Sequence, residues 1–186
     1  MAMTRFVNLG AALVALTLVG CGGGKSKGAD KPMGESDMGM MKMKMEMGMA
    51  APSPETQAVL DQIKDYATWP RFAENPTPAF SKGHMKMYVL AFHNDVVADA
   101  IASNTLPLPD GALIVKQNMK AADAAPEALT IMSKQGGEWY YAETSPDGKV
   151  ITMNGMALEG RKVAMCTDCH DTAADNDYVF THKFPR

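Results

Sequence analysis

The sharpest chemical signal in the chain is Cys166-Thr167-Asp168-Cys169-His170, a C-x-x-C-H run near the C-terminal end. Two thiols three positions apart can add to the two vinyl groups on one edge of a haem. The imidazole that follows can then reach the iron from the same segment. The motif therefore predicts one covalent haem c, attached at Cys166 and Cys169, with His170 as axial metal ligand. Other uses of C-x-x-C fit less well. A thioredoxin-like redox pair usually follows a strand in a βαβ pattern, which the sequence lacks. A zinc site would need a second Cys/His pair. A disulfide between the two neighbours is the remaining alternative. The opposite face of the iron stays open on this reading. Candidate sixth ligands are His84, His93, His182 and the methionines at 85, 87, 119, 132, 153, 156 and 165. A closed, six-coordinate haem passes electrons, whereas an open iron binds small molecules.

The third cysteine has a different setting. Residues 1–20 read MAMTRFVNLGAALVALTLVG, with Arg5 as a short positive region and Phe6 to Val19 as an apolar one. That run falls short of the roughly 20 apolar residues of a membrane span and matches a secretory signal. Leu18-Val19-Gly20-Cys21 resembles a bacterial lipoprotein processing box, which makes Cys21 the lipidation site. Three acyl chains there would anchor the chain firmly on the periplasmic side of a bacterial membrane. Gly22 after the cysteine favours the outer membrane. Export agrees with the haem reading, because haem c is attached outside the cytoplasm. The three cysteines are then all assigned: one to lipid, two to haem.

Residues 21–52 read as a disordered Gly/Met-rich tether. Gly22 to Gly28 have linker composition, and eight methionines fall between Met33 and Met49. Clustered thioethers are soft ligands that select Cu(I), so copper is a second candidate cofactor, against the plainer reading of a low-complexity spacer. The formal net charge of -3 and the absence of a basic stripe interleaved with aromatics leave no case for nucleic acid.

The elements that must position the motif lie in residues 53–186. Ser53-Pro54-Glu55 predicts a helix start, with an N-cap serine, proline at the first position and an acid in the first turn. Val59, Leu60, Ile63 and Tyr66 continue at helical spacing, and the helix should end near Trp69-Pro70. Met85–Phe92, Ala112–Lys116, Leu129–Lys134 and Glu138–Ala142 read as strands, and Asp95 to Ser103 as a helix capped by Asn94. Gln135-Gly136-Gly137 is a hairpin turn, and Ser145-Pro146-Asp147-Gly148 another turn. Residues 157–170 are expected to be partly helical. Strands joined by tight turns predict an α+β domain, mostly antiparallel sheet with a few helices.

The order of these pieces resembles the cytochrome P-460 family, including the related cytochromes c-prime-beta. The likeness is carried by Tyr88-Val89, Leu108-Pro109-Asp110-Gly111-Ala112-Leu113-Ile114-Val115-Lys116, Met132-Ser133-Lys134, Gly137-Glu138-Trp139-Tyr140-Tyr141, the C-x-x-C-H run and Asp177-Tyr178-Val179-Phe180-Thr181. The resemblance implies a mostly antiparallel, often homodimeric fold with a five-coordinate haem. It implies that Lys116 matches a lysine bonded to the haem macrocycle, in enzymes that oxidise hydroxylamine. It also implies a pocket with an arginine and a glutamate. The corresponding stretches here read as His84-Met85-Lys86 and Leu129-Thr130-Ile131, with Thr130 as the polar pocket residue and no carboxylate. Met85, Met87 and Met132 would make that pocket largely apolar, suited to nitric oxide or carbon monoxide. The reading is a haem oxidoreductase acting on hydroxylamine or nitric oxide, with a redox partner protein. The alternative is a six-coordinate electron-transfer cytochrome.

Overall fold

The structure is a computed structural model and describes residues 46–185. The signal segment, Cys21 and the methionine run as far as Met45 lie outside the described residues. The described chain forms one antiparallel sheet of nine strands with three short α-helices. The strands are β1 (Met47–Ala50), β2 (Ala79–Phe80), β3 (Tyr88–His93), β4 (Leu113–Met119), β5 (Ala128–Gln135), β6 (Glu138–Thr144), β7 (Val150–Met153), β8 (Met156–Ala157) and β9 (Glu159–Gly160). Their spatial order is β1-β7-β6-β5-β4-β3-β2, with β8 on β7 and β9 on β6. The helices are α1 (Pro54–Gln62), α2 (Asp95–Ala102) and α3 (Ala164–His170). The α+β architecture is as the sequence implies. No helix among the described residues is long and apolar enough to cross a membrane.

Side chains alternate across the pleat. On one face, Leu113 and Val115 of β4, Leu129 and Ile131 of β5, and Tyr140 and Ala142 of β6 are all buried beneath Val59 of α1 and Ile63 at its C-terminal cap. The helix starts where Ser53 accepts the Thr56 N–H at 3.1 Å. It is tied to the sheet by the Thr56 hydroxyl, 2.8 Å from the Tyr140 hydroxyl. Ser53 Oγ also donates to Glu159 at 3.0 Å. On the other face, the neighbours of those same residues point towards α3 and the C-terminal segment: Ile114, Met132, Trp139 and Tyr141 pack there with Val163, Val179 and Phe184.

Three expectations are corrected. The tether does not run to residue 52 as a disordered segment, because Met47–Ala50 pairs with β7, Gly48 opposite Thr152. An edge strand needs only backbone hydrogen bonds on one side, so a sequence without core residues can supply it. A Cβ on Gly48 would come 2.8 Å from Thr152 Oγ1, so glycine is what lets the strands close. The first helix ends at Gln62 rather than near Trp69, and a separate 3₁₀ turn spans Tyr66–Thr68. The break turns the Tyr66 ring onto Phe92, 5.6 Å away, a position a continuous helix would not reach. The strand expected from Met85 begins at Tyr88. His84, Met85 and Lys86 instead form a turn with φ of 41°, 54° and 60°, in the left-handed region.

Candidate functional site

Helix α3 places Cys166, Cys169 and His170 at positions i, i+3 and i+4, one face of the helix. Both cysteines are free thiols, Cys166 half-buried and Cys169 exposed. His170 is buried, 9% exposed, between Tyr141 and Phe180, whose rings lie 5.4 and 5.2 Å away. Its Nδ1–H donates to the Tyr178 carbonyl at 2.6 Å. That bond assigns the ring proton to Nδ1 and leaves the Nε2 lone pair free for a metal. Burial also pushes the imidazole pKa down, which favours the neutral, ligating form.

These three side chains line a cavity of about 310 Å³ between α3 and the sheet. The sheet wall is a row across four strands: Ala91 opposite Lys116, Lys116 opposite Thr130, Thr130 opposite Glu143. Beside it runs a second row, Ile114, Met132 and Tyr141. A larger depression of about 880 Å³ lies over α1 and the Ser145–Lys149 turn. Its charges are matched in surface ion pairs, Lys64 with Asp61 and Lys149 with Asp147. The chemistry-bearing groups gather in the smaller space.

Lys116 lines the cavity deep among protein atoms, and burial pushes its ammonium down to about 8. Its Nζ donates to His84 Nε2. His84 is itself lowered to about 3, first by burial and then by the Lys116 and His170 charges. Glu143 is raised by burial, with Lys116 opposing the shift. Burial lifts the Cys166 thiol to about 12. Asn118 is 2% exposed and donates through Nδ2 to Thr130 Oγ1 at 2.8 Å. Its Oδ1 is enclosed by protein atoms and has no hydrogen-bond partner.

The structure thus brings together Lys116, Thr130, Cys166, Cys169 and His170. Of the candidate sixth ligands, His84, Met85, Met87, Met132 and Met165 reach the cavity. His93 packs on Phe72 at 4.6 Å and His182 pairs with Glu74 at 2.5 Å, both away from it. Met119, Met153 and Met156 are likewise elsewhere in the sheet. The expectation of a pocket without a carboxylate is overturned by Glu143. A signal for it was present in the sequence. The Gly136-Gly137 turn, both residues at positive φ, sets Gln135 against Glu138, and five residues further along each strand Thr130 meets Glu143.

A helix that presents two thiols and a metal-ready imidazole to one enclosed space, with a lysine in the opposite wall, has the features of a covalent haem site in a c-type cytochrome. The cytochrome P460 family model matches residues 63–181, and the chain belongs to the cytochrome P460 family. The family makes it a haem c cytochrome with covalently bound haem. No curated protein matches the chain. The residues present fit the group: Cys166 and Cys169 would carry it and His170 would hold its iron.

Proposed function

We propose that this chain is an exported, lipid-anchored haem c protein that binds and oxidises small nitrogen species, hydroxylamine first among them, and passes the electrons to a redox partner protein. The observation that carries the reading is Lys116: a half-buried amine, lowered by desolvation to about 8 and so partly neutral near physiological pH, in the same cavity as the C-x-x-C-H residues. An exposed lysine would keep its charge and have no reason to be there. A partly neutral one is a nucleophile suited to the macrocycle edge, where the new N–C bond would replace a ring C–H and an amine N–H and release two protons and two electrons to an oxidant of the peroxide class. When bound, haem c supplies a redox-active iron that accepts electrons singly and takes small ligands.

The surrounding side chains do the rest. Hydroxylamine carries N–H and O–H donors, and the Thr130 hydroxyl and Glu143 carboxyl among the cavity-lining residues are acceptors for them. Oxidation of hydroxylamine releases protons along with electrons. Glu143, its pKa raised by burial, receives protons at its carboxylate oxygens, with Thr130 across the ladder as the hydroxyl between it and Asn118. Nitric oxide and carbon monoxide carry no proton to give up and would use the methionine-lined part of the cavity. Export and lipidation rest on residues 1–21, with Cys21 as the anchor.

The test is an absorption spectrum of the purified protein, oxidised and reduced, beside that of Lys116→Ala. The expected result is red-shifted haem bands that revert to an ordinary c-type spectrum in the variant. An ordinary c-type spectrum in the wild-type protein would remove the lysine bond. The second reading is electron transfer alone, favoured by His84, whose Nε2 reaches the cavity. A low-spin spectrum indifferent to added carbon monoxide would establish it instead.

A further inference from the structure

Behind the cavity, one row along from Met132 and Tyr141, the same face of the sheet carries a charged residue that the proposed chemistry does not use. Lys134 is 4% exposed and lies opposite Trp139. Its Nζ donates to Asp177 Oδ1 at 2.7 Å, and Asp177 is 7% exposed. The Lys134 ammonium also sits over the Trp139 ring, 5.0 Å from its centre. Asp177 is held at three atoms. Its Oδ2 accepts the Leu108 N–H at 2.9 Å, and its carbonyl accepts the Trp139 indole N–H at 2.9 Å. Lys134 in turn is built into the sheet, its N–H donating to Ala112 O at 2.9 Å.

Taking two charges out of water is costly, and apolar replacements of a buried pair are often as stable or more so. A pair this enclosed therefore calls for a role other than stability. The next residue supplies one. Asp177 and Tyr178 both have left-handed backbones, φ 49° and 67°, a conformation that ordinary residues hold only when the surroundings impose it. This turn swings the chain so that the Tyr178 carbonyl faces back to His170 Nδ1 at 2.6 Å.

We propose that Lys134 and Asp177 are positioning residues for the axial imidazole: the ion pair locks the left-handed turn, and the turn sets the strength and direction of the Tyr178 carbonyl bond to His170. The proposal rests on His170 as iron ligand. A firm Nδ1–H···O=C bond gives the imidazole more anionic character, making it a stronger donor to the iron and lowering the reduction potential. The pair acts on haem potential and not on haem retention, since it touches neither thiol.

The experiment uses the haem-loaded protein and the double variant Lys134→Met/Asp177→Asn, which leaves no lone buried charge and keeps an Asn side chain that tolerates the left-handed backbone. Two quantities are read: the iron–histidine stretching band of the ferrous protein by resonance Raman, and the midpoint potential. The expected result is a downward shift of the band and an upward shift of the potential, with haem still covalently attached. Lys134→Arg should restore both towards wild type. If the double variant does not accumulate, Trp139→Phe removes only the indole donor to the Asp177 carbonyl and should shift both quantities less, in the same directions. Band and potential unchanged in variants that retain haem would overturn the proposal and leave the pair as a packing feature. A haem spectrum unchanged by His170→Ala would instead overturn His170 as ligand, and the proposal with it; if the wild-type haem is six-coordinate and shows no such band, the midpoint potential alone is the readout.

Discussion

Alternate residues of the same three strands serve opposite ends. Leu113, Val115, Leu129, Ile131, Tyr140 and Ala142 face α1 and close a dry core with no ionisable side chain among them except the Tyr140 phenol, itself hydrogen-bonded. On the other face of these strands Lys116 and Glu143 line the cavity and Lys134 is buried against Asp177, three ionisable groups on one side of the sheet. The contrast teaches a division of labour. One face supplies stability through apolar area, each buried aliphatic side chain contributing about 1.5–3 kcal/mol. That margin lets the other face hold groups whose burial is unfavourable but whose chemistry needs a low dielectric.

Damage to the two faces should therefore be read by different instruments. The largest effect is expected for Cys166→Ser/Cys169→Ser, which removes both thioether bonds. All porphyrin should then leave the denatured chain on extraction with acidic acetone, whereas the wild-type protein retains it. Next comes Glu143→Gln, expected to lower hydroxylamine turnover by about 10²–10⁴-fold, the usual worth of a positioned acid–base group, while carbon monoxide binding stays as in the wild type. Equal losses in both would show that Glu143 merely shapes the cavity. On the α1 face, Ile63→Ala should lower unfolding free energy by about 3 kcal/mol and leave the haem spectrum untouched. A spectral change there would break the division between the faces.

The smallest effect, taken per pH unit, is a pH slope. His84 is lowered from 6.5 to about 3, so the unfolded chain binds more protons than the folded one between those values. Stability from this group is fully present above pH 6.5 and is lost as pH falls towards 3. A slope of about 1 kcal/mol per pH unit is expected in that window, measured by urea unfolding at successive pH values, and His84→Gln should flatten it.

What could be read in the sequence follows from the range over which each signal acts. The C-x-x-C-H run and the Ser53-Pro54-Glu55 cap are local, and α3 and α1 bear out the helices expected around them. Lys116 emerged from the resemblance, and it lines the cavity. Glu143 and Asn118 were missed because their importance arises only when β4, β5 and β6 are aligned in register, although the Gly136-Gly137 hairpin already implied half of that alignment. The Lys134–Asp177 pair joins residues 43 apart in the chain, and no local pattern announces such a contact. Strand β1 was hidden for the opposite reason: its residues have no core to fill, and the β7 edge supplies the pairing.

The turn at His84, Met85 and Lys86 carries an energetic cost. Three successive side-chain-bearing residues with left-handed backbones each cost about 1–2 kcal/mol relative to the ordinary helical arrangement. The rest of the cavity wall is made of laddered strands, α3 and residues 179–181. Relief of that strain is the consequence: Met85→Gly, which suits the left-handed backbone, should raise unfolding free energy by about 1 kcal/mol in urea titrations and leave the laddered wall unchanged.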